Sequence, residues 1–305
     1  MINGIIVVKK EAGFTSFDVV AKLRGIVKQK KIGHTGTLDP DATGVLPVCF
    51  GSATKLCDML TDKKKEYIAE FVLGKTTDTQ DISGQIISTA EVCCKEDEVR
   101  DVIASFQGGY EQIPPMYSAL KVDGKRLYEL ARAGKEVERK GRPITIHEIK
   151  ILAIEMPVIK IQVLCSKGTY IRTLCHDIGA KLGCGATMIS LERTMSGQFH
   201  IGQALTLSEI EEVQKNQTLD KHIIPVDAVF ADLPDIEVEN EELKKILNGN
   251  LIFKNHIKNV PDGKWVDGQQ FRIYEKINET KKRFLAVYKY SKEKHAIVPD
   301  KMFLG

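Results

Sequence analysis

No stretch of the 305-residue chain is apolar over the roughly 20 residues that a helix needs to cross a bilayer, which excludes a helical membrane protein. The first residues, MINGIIVVKKEAG, lack both a basic leader segment and a small-residue cleavage site, so the expected location is the cytoplasm. Cysteines are few and irregularly spaced. Cys49, Cys57, Cys93, Cys94, Cys165, Cys175 and Cys184 are odd in number and contain no C-x-x-C pair, so neither a disulfide framework nor a zinc ribbon follows. Cys175, His176 and Cys184 fit no common zinc spacing, and neither a metal nor another cofactor is expected. A strong excess of one charge is also missing. The net charge of +3 is too small to announce a nucleic-acid protein, and 43% hydrophobic with 28% charged residues is ordinary for a globular chain whose length allows two domains.

The charge that is present is segregated. From Ser118 to Arg142 there are eight Lys or Arg against four acids, Asp123 among them. From Lys281 to Lys294 there are six against Glu293, whereas Glu209 to Glu242 holds eleven acids and two lysines. Such segregation predicts a basic surface that follows phosphates, with the acidic stretch facing elsewhere; solvated helix faces give the same pattern.

The most punctuated stretch is Lys31 to Lys55, KIGHTGTLDPDATGVLPVCFGSATK. Gly33, Gly36 and Gly44 permit backbone angles closed to other residues, while Pro40 and Pro47 fix φ, so an ordered loop with an apolar exit, Val45 to Phe50, is predicted. Asp39 is its candidate functional group, flanked by Leu38 as an anchor and by His34 and Thr35. The competing reading is that Asp39 only opens the Pro40 turn.

Before this loop, a strand at Gly4 to Val8 leads to a helix capped by Thr15 or Ser16, with Val19, Val20, Leu23, Ile26 and Val27 on one face. After it, Ser52 to Leu60 reads as a short helix. Lys55 in its first turn opposes the helix dipole, which suits either an anion or a plain surface lysine. KEYIAEFVL, residues 65 to 73, is a strand with Tyr67, Ala69, Phe71 and Leu73 on one face, and Tyr67 taken alone is an ordinary core tyrosine. TTDTQDISG is a turn-rich hairpin connection, and Lys95 to Phe106 an amphipathic helix. Pro114 and Pro115 open a basic segment with a helix from Lys125 to Ala133, followed by strands near Ile144 to Ile154 and Val158 to Ser166. In CSKGTYIRTLCHDIGAKLG, Ile171, Leu174, Cys175, Ile178 and Leu182 recur at helical spacing, with Gly183 as the stop. Tyr170 and Arg172 then fall in the first turn. A cation there opposes the dipole and calls for a nearby carboxylate, such as Asp177 or another surface acid. Residues 186 to 200 are extended.

GHTGTLDPDATGVLP resembles the signature of the TruB-type pseudouridine synthases, which isomerise a uridine in the T loop of tRNA, at position 55. KEYIAEFVLGKTTDTQDISG, IPPMYSALKVDGKRLYELARAG and CSKGTYIRTLCHDIGAKLGCGA resemble the same family in the same order, so the likeness spans roughly residues 3 to 230. The resemblance implies that Asp39 is the essential carboxylate, attacking the sugar or base or removing a sugar proton. It implies that Arg172 pairs with Asp39, Tyr67 stacks on the base, Tyr170 and Leu191 wall the pocket, and His34 helps to displace the flipped base. Lys55 is a lesser candidate for a phosphate or structural contact.

The implied fold is α+β: a mixed, largely antiparallel sheet with flanking helices over residues 1–232, carrying an RNA-gripping insert at 113–142. Residues 233–305 resemble, more weakly, a small β-rich PUA-type RNA-binding domain. The implied partner is the tRNA T-stem loop, without DNA or membrane, bound by a monomer. Two alternatives stand beside this: a guide-RNA-dependent relative of the dyskerin kind, against which the intact insert argues, and an RNA-binding or tRNA-folding module without turnover.

Overall fold

The computed structural model describes residues 1–122, 124–257 and 264–304, with the backbone alone at Asn240. Strand β1, Gly4–Lys10, leads into helix α1, Ser16–Val27. The turn between them is closed by a reciprocal cap: Asp18 N donates to Thr15 Oγ1, and Thr15 N donates to Asp18. Val19, Val20 and Leu23 are buried, whereas Ile26 and Val27 are only partly so. β2, Ile32–His34, and β3, Thr43–Phe50, bracket the loop 35–42. A 3₁₀ turn, Gly51–Leu56, then passes into α2, Cys57–Thr61, so the helix expected over this stretch is divided in two.

β4, Lys65–Leu73, alternates strictly, with Tyr67, Ala69, Phe71 and Leu73 on its buried face. β5, Lys75–Thr77, and β6, Ile86–Thr89, form a separate hairpin. α3, Glu96–Ala104, is followed by β7, Gly108–Gln112, which sequence periodicity had not indicated. In the insert, β8, Lys121–Val122, pairs with β9, Lys125–Arg126. That pairing takes the first two residues from the expected basic helix, and α4 covers only Leu127–Arg132. β10, Arg142–Glu155, and β11, Val158–Cys165, precede α5, Ile171–Lys181, then β12, Ala186–Ser196, β13, Phe199–His200, and α6, Leu207–Lys215.

The large sheet runs β1-β3-β12-β4-β11-β10-β7, with β2 on β3 and β13 on β12. Its described pairings are antiparallel except β3 with β12, where Glu192 faces Thr43 and Arg193 faces Gly44. This junction requires glycine: Gly44 has φ 103, and a Cβ there would lie 2.2 Å from Arg193 O. α3 and α5 cover the buried face of β4, β11 and β12, while α1 and α6 cover one face of β1 and β3.

The other face of β1 and β3 packs through Phe230 onto the C-terminal unit, where Phe284, Val287 and Phe303 meet it. That unit is built of β14, Asp235–Val238, α7, Asn240–Leu247, β15, Ile252–Phe253, β16, Gln270–Lys276, β17, Lys282–Ser291, and β18, Ala296–Met302. Its sheet runs β14-β16-β17-β18-β15 around Trp265, Phe271 and Tyr288, as a PUA-like domain would; residues 258–263 of the unit lie outside the described residues.

The separation of charge expected from sequence is not kept. Within the acidic stretch, Asp235 and Glu237 both pair with Lys282 of the basic stretch, because β14 lies alongside β16, the hairpin partner of β17. Arg283 pairs with Glu275 at 2.7 Å and Lys289 with Asp300 at 3.3 Å. In the insert, by contrast, Lys121, Lys125, Lys135 and Lys140 are exposed and make no ion pair among the described residues; Asp123 lies outside these.

Candidate active site

Loop 35–42 is held from beneath by residues of β1 and α1. Leu38 is buried, and its N–H donates to Ser16 Oγ at 2.9 Å. The Lys10 ammonium, itself buried, donates to the carbonyls of Phe14 at 2.6 Å, Pro40 at 2.8 Å and Glu11 at 3.0 Å. The Pro40 carbonyl also accepts from Gly13 N at 3.0 Å, and Ala42 N donates to Asp39 O at 3.2 Å. Asp39 therefore does open a turn, but with its backbone, and its carboxylate is left for another partner.

That partner comes from α5. Tyr170 is the residue before the helix and is fixed by Gln112, whose side chain accepts from Tyr170 N at 2.8 Å and donates to Tyr170 O at 3.0 Å. Arg172 follows in the first turn, buried, with Nε 2.9 Å from Asp39 Oδ2. Its Nη1 donates to Thr79 O at 3.0 Å and lies 3.4 Å from Asp81 Oδ2, and Nη2 donates to Tyr117 O at 3.0 Å. One guanidinium thus ties together the Asp39 loop, the turn before β6, the base of the insert and α5, using the fork geometry that lysine lacks.

The Asp39 carboxyl is crowded by protein, and burial pushes its pKa up; Arg172 opposes this and Asp81 reinforces it. The ion pair alone would have predicted a lowered value, so burial outweighs it. The side chain nevertheless keeps 44% of its surface exposed to solvent.

Tyr67 and Leu191 lie on the same side of neighbouring strands: Leu191 is paired with Ala69 and Arg193 with Tyr67. Both are buried, and burial raises the Tyr67 phenol pKa. Tyr170 is half-buried, its phenol raised for the same reason. His34 stands at the other end of the loop on β2; burial lowers its pKa, the charge of Arg193 adds to this, and its Nδ1 has no hydrogen-bond partner among the described residues. The structure brings Asp39 and Arg172 into contact and sets Tyr67 and Leu191 in one buried apolar cluster with Leu38, the residue before Asp39. Lys55 makes a structural contact: its ammonium donates to Met302 O at 2.8 Å, and Lys301 donates back to Lys55 O at 2.9 Å, so it ties the 3₁₀ turn after β3 to β18.

Sequence reading missed Asp81, Lys10, Ser16 and Gln112. Asp81 is fixed by its own turn, its Oδ1 accepting from Thr79 Oγ1 at 2.7 Å and Ser83 N at 3.1 Å, beside Gln80 at φ 65. The Thr, Asp and Ser density of TTDTQDISG was the available signal; it marked a turn and not the arginine that the turn serves.

Among the described residues no group of His, Cys, Asp and Glu is placed to hold a metal ion, and no helix is long and apolar enough to cross a membrane. The N-terminal domain of the TruB family pseudouridylate synthases matches residues 24–171, and the C-terminal domain of tRNA pseudouridylate synthase B matches residues 172–231. A tRNA pseudouridine synthase B of Lachnoclostridium phytofermentans is 50% identical over 99% of this chain and 100% of its own. One from Clostridium kluyveri is 51% identical over 81% of this chain and 84% of its own. Among solved structures, a chain of an H/ACA RNP bound to a substrate RNA containing 2′-deoxyuridine superposes with a TM-score of 0.71 at 26% identity, over 99% of this chain and 85% of that one. With such identity over nearly its whole length, the chain belongs to the TruB family of pseudouridylate synthases.

Proposed function

We propose that the protein isomerises a T-loop uridine of tRNA, at position 55, to pseudouridine, with Asp39 as the essential carboxylate. The relatives' names supply the substrate class, and the observation that carries the role of Asp39 is the Arg172 guanidinium 2.9 Å from its carboxylate, next to the apolar cluster that holds Leu38, Tyr67 and Leu191. In the reaction the N1 to C1′ glycosidic bond breaks, the uracil turns over, C1′ bonds to C5, the C5 hydrogen leaves as a proton, and N1 takes up a proton in its place. A base inside a folded RNA loop has to leave its stack first, and it exchanges that stacking for an aromatic face and apolar walls. Tyr67 offers the face, Leu191 and Tyr170 the walls, and His34 at the far end of the loop fills the place the base vacates. Arg172 aims Asp39 and favours its ionised form against the burial that raises its pKa. The raised pKa gives a sign: activity falls on the acid side as Asp39 takes up a proton, at a higher pH than an exposed aspartate would set.

The reading extends to the rest of the chain. Residues 1–232 form the catalytic domain, in which the insert 113–142 lays unpaired lysines along the phosphates of the T arm, and 233–305 form a second RNA-contacting unit. The setting is the cytoplasm, and the partner is tRNA. The test is tritium release from a tRNA transcript labelled at uridine C5, with wild type and Asp39→Asn side by side. Release of one equivalent by wild type, with a loss of at least a thousandfold in the variant, supports the assignment; about 4 kcal/mol of barrier corresponds to that loss. A folded Asp39→Asn protein that releases tritium at the wild-type rate overturns it.

A further inference from the structure

Arg193 has the largest side chain fully withdrawn from solvent, at 0% exposure, and it makes no ion pair with any acid among the described residues. Burying a guanidinium without a carboxylate is costly, so its placement calls for a use. Its Nε donates to Val45 O at 2.7 Å and its Nη2 to Gly36 O at 3.2 Å. Those two carbonyls stand on either side of loop 35–42, at its start and just beyond its end, and the fork of one arginine spans them. The third nitrogen, Nη1, is buried, meets no acceptor in good hydrogen-bond geometry among the described residues, and lies 3.8 Å from where a Cβ on Gly36 would be. Across the sheet, Arg193 is the direct strand partner of Tyr67. On β3 it is the partner of Gly44, whose missing side chain lets the two strands approach.

We propose that Arg193 is a positioning residue of the isomerisation: it closes the loop that carries Asp39 like a clasp and fixes that loop against Tyr67, so that carboxylate and aromatic face hold one geometry. The proposal rests on the reading of Asp39 and Tyr67 given above. The two cations around Asp39 divide the work. Arg172 reaches the carboxylate from α5, and Arg193 holds the loop's backbone from β12, on the side of the sheet shared with Tyr67. The charge of Arg193 also acts on its neighbours, lowering the pKa values of His34, Lys10 and Lys65 and opposing the rise at Tyr67.

The test uses the full-length protein, C5-tritiated tRNA transcript under single turnover, and two variants. Arg193→Met removes the fork and the charge; Arg193→Lys keeps a cation but can reach only one of the two carbonyls at a time. The expected results are a single-turnover rate lowered at least a hundredfold in Arg193→Met and at least tenfold in Arg193→Lys, with tRNA Kd within threefold of wild type in both. The alkaline limb of the pH–rate profile should move to higher pH in Arg193→Met, because a positive charge beside Tyr67, Lys10 and Lys65 is gone, and stay in place in Arg193→Lys. A merely structural role would weaken binding and rate together and leave the pH profile where it was. A folded Arg193→Lys with the wild-type rate overturns the proposal, as does an Arg193→Met whose loss is matched by an equal loss of tRNA affinity. If Arg193→Met does not fold, Arg193→Lys alone decides. Failure of the wild type to release tritium would instead overturn the assignment of function on which this rests.

Discussion

The two sheets use positive charge in opposite ways. In the large sheet Lys10, Lys65 and Arg193 are buried, as is Arg172 on α5, which packs on it, and apart from Arg172, which also meets carboxylates, they spend their donors on backbone carbonyls. In the C-terminal sheet Lys282, Arg283 and Lys289 are partly exposed and sit against Asp235, Glu237, Glu275 and Asp300. A buried cation costs desolvation and is kept where it fixes a backbone that packing alone would leave loose. An exposed pair costs little and contributes little. The first kind marks where geometry is defended, the second where solubility and register are served.

The sharpest way to break this contrast is at Arg172. Four segments meet on its guanidinium, so Arg172→Met should lower the single-turnover rate at least a thousandfold, about 4 kcal/mol. It should also cost about 2–4 kcal/mol of stability in urea unfolding, since the Thr79 and Tyr117 carbonyls lose their donors and Asp81 its cation. If stability is unchanged, the carbonyls are satisfied without the arginine, and the buried cation is not defending the cleft.

Lys10 tests the cost of burial directly. Burial pushes Lys10 and Lys65 down to about 8 from an ordinary 10.5, with Asp41 and Asp39 opposing the shift at Lys10. Between those values the unfolded chain keeps protons that the folded chain has released, so stability rises with pH across the window and is lost again as pH falls toward 8. Lys10→Met should remove one proton's share of that rise, about 1.4 kcal/mol per pH unit where it is steepest. The Pro40 carbonyl also loses a donor, so a rate lowered about tenfold is expected from a loosened Asp39 loop. Unfolding curves at pH 8, 9 and 10 check the slope; an unchanged slope would mean that Lys10 is not desolvated.

Local chemistry was legible in the sequence, and pairing at a distance was not. The Thr15 cap, the alternation of β4 and the apolar stripe of α5 rest on interactions within a few residues, and they stand where periodicity put them. The Lys31 to Lys55 glycines marked the loop. What Gly44 does, however, depends on Arg193, 149 positions later, and nothing local signals that approach. Asp81 escaped notice because a turn rich in Thr and Asp looks the same whether or not an arginine arrives from α5. Lys55 was left open between a phosphate and a structural contact because its partner, Met302 O, belongs to the last strand. The charge runs failed for the same reason: composition counts Lys282 and Asp235 in separate stretches, and only the β14-β16-β17 order shows that they cancel.

The basic insert lies between the two extremes, exposed like the C-terminal pairs, but its Lys121, Lys125 and Lys135 make no ion pair among the described residues. Lys121, Lys125 and Lys135 changed together to Gln should raise tRNA Kd about tenfold at 0.1 M salt and reduce the magnitude of the salt slope by about 2–3. The rate at saturating tRNA should stay near wild type, because none of the three touches the Asp39 loop. A lowered saturating rate with unchanged salt slope would show that the insert orders the cleft rather than gripping phosphates.

The smallest effect is expected at Lys282 and Lys289, although the sequence places them in a run as basic as the insert. A phosphate competing for Lys282 has to displace Asp235 and Glu237 together, and one competing for Lys289 has to displace Asp300. Each carboxylate is already at contact distance with no strand to move, so little counterion is left to release when RNA arrives. Lys282→Ala with Lys289→Ala should therefore change stability by less than about 1 kcal/mol and leave the salt slope of tRNA binding where it was. A slope reduced by about two would mean that the acids give way to RNA, and the C-terminal cations would then belong with those of the insert as phosphate ligands.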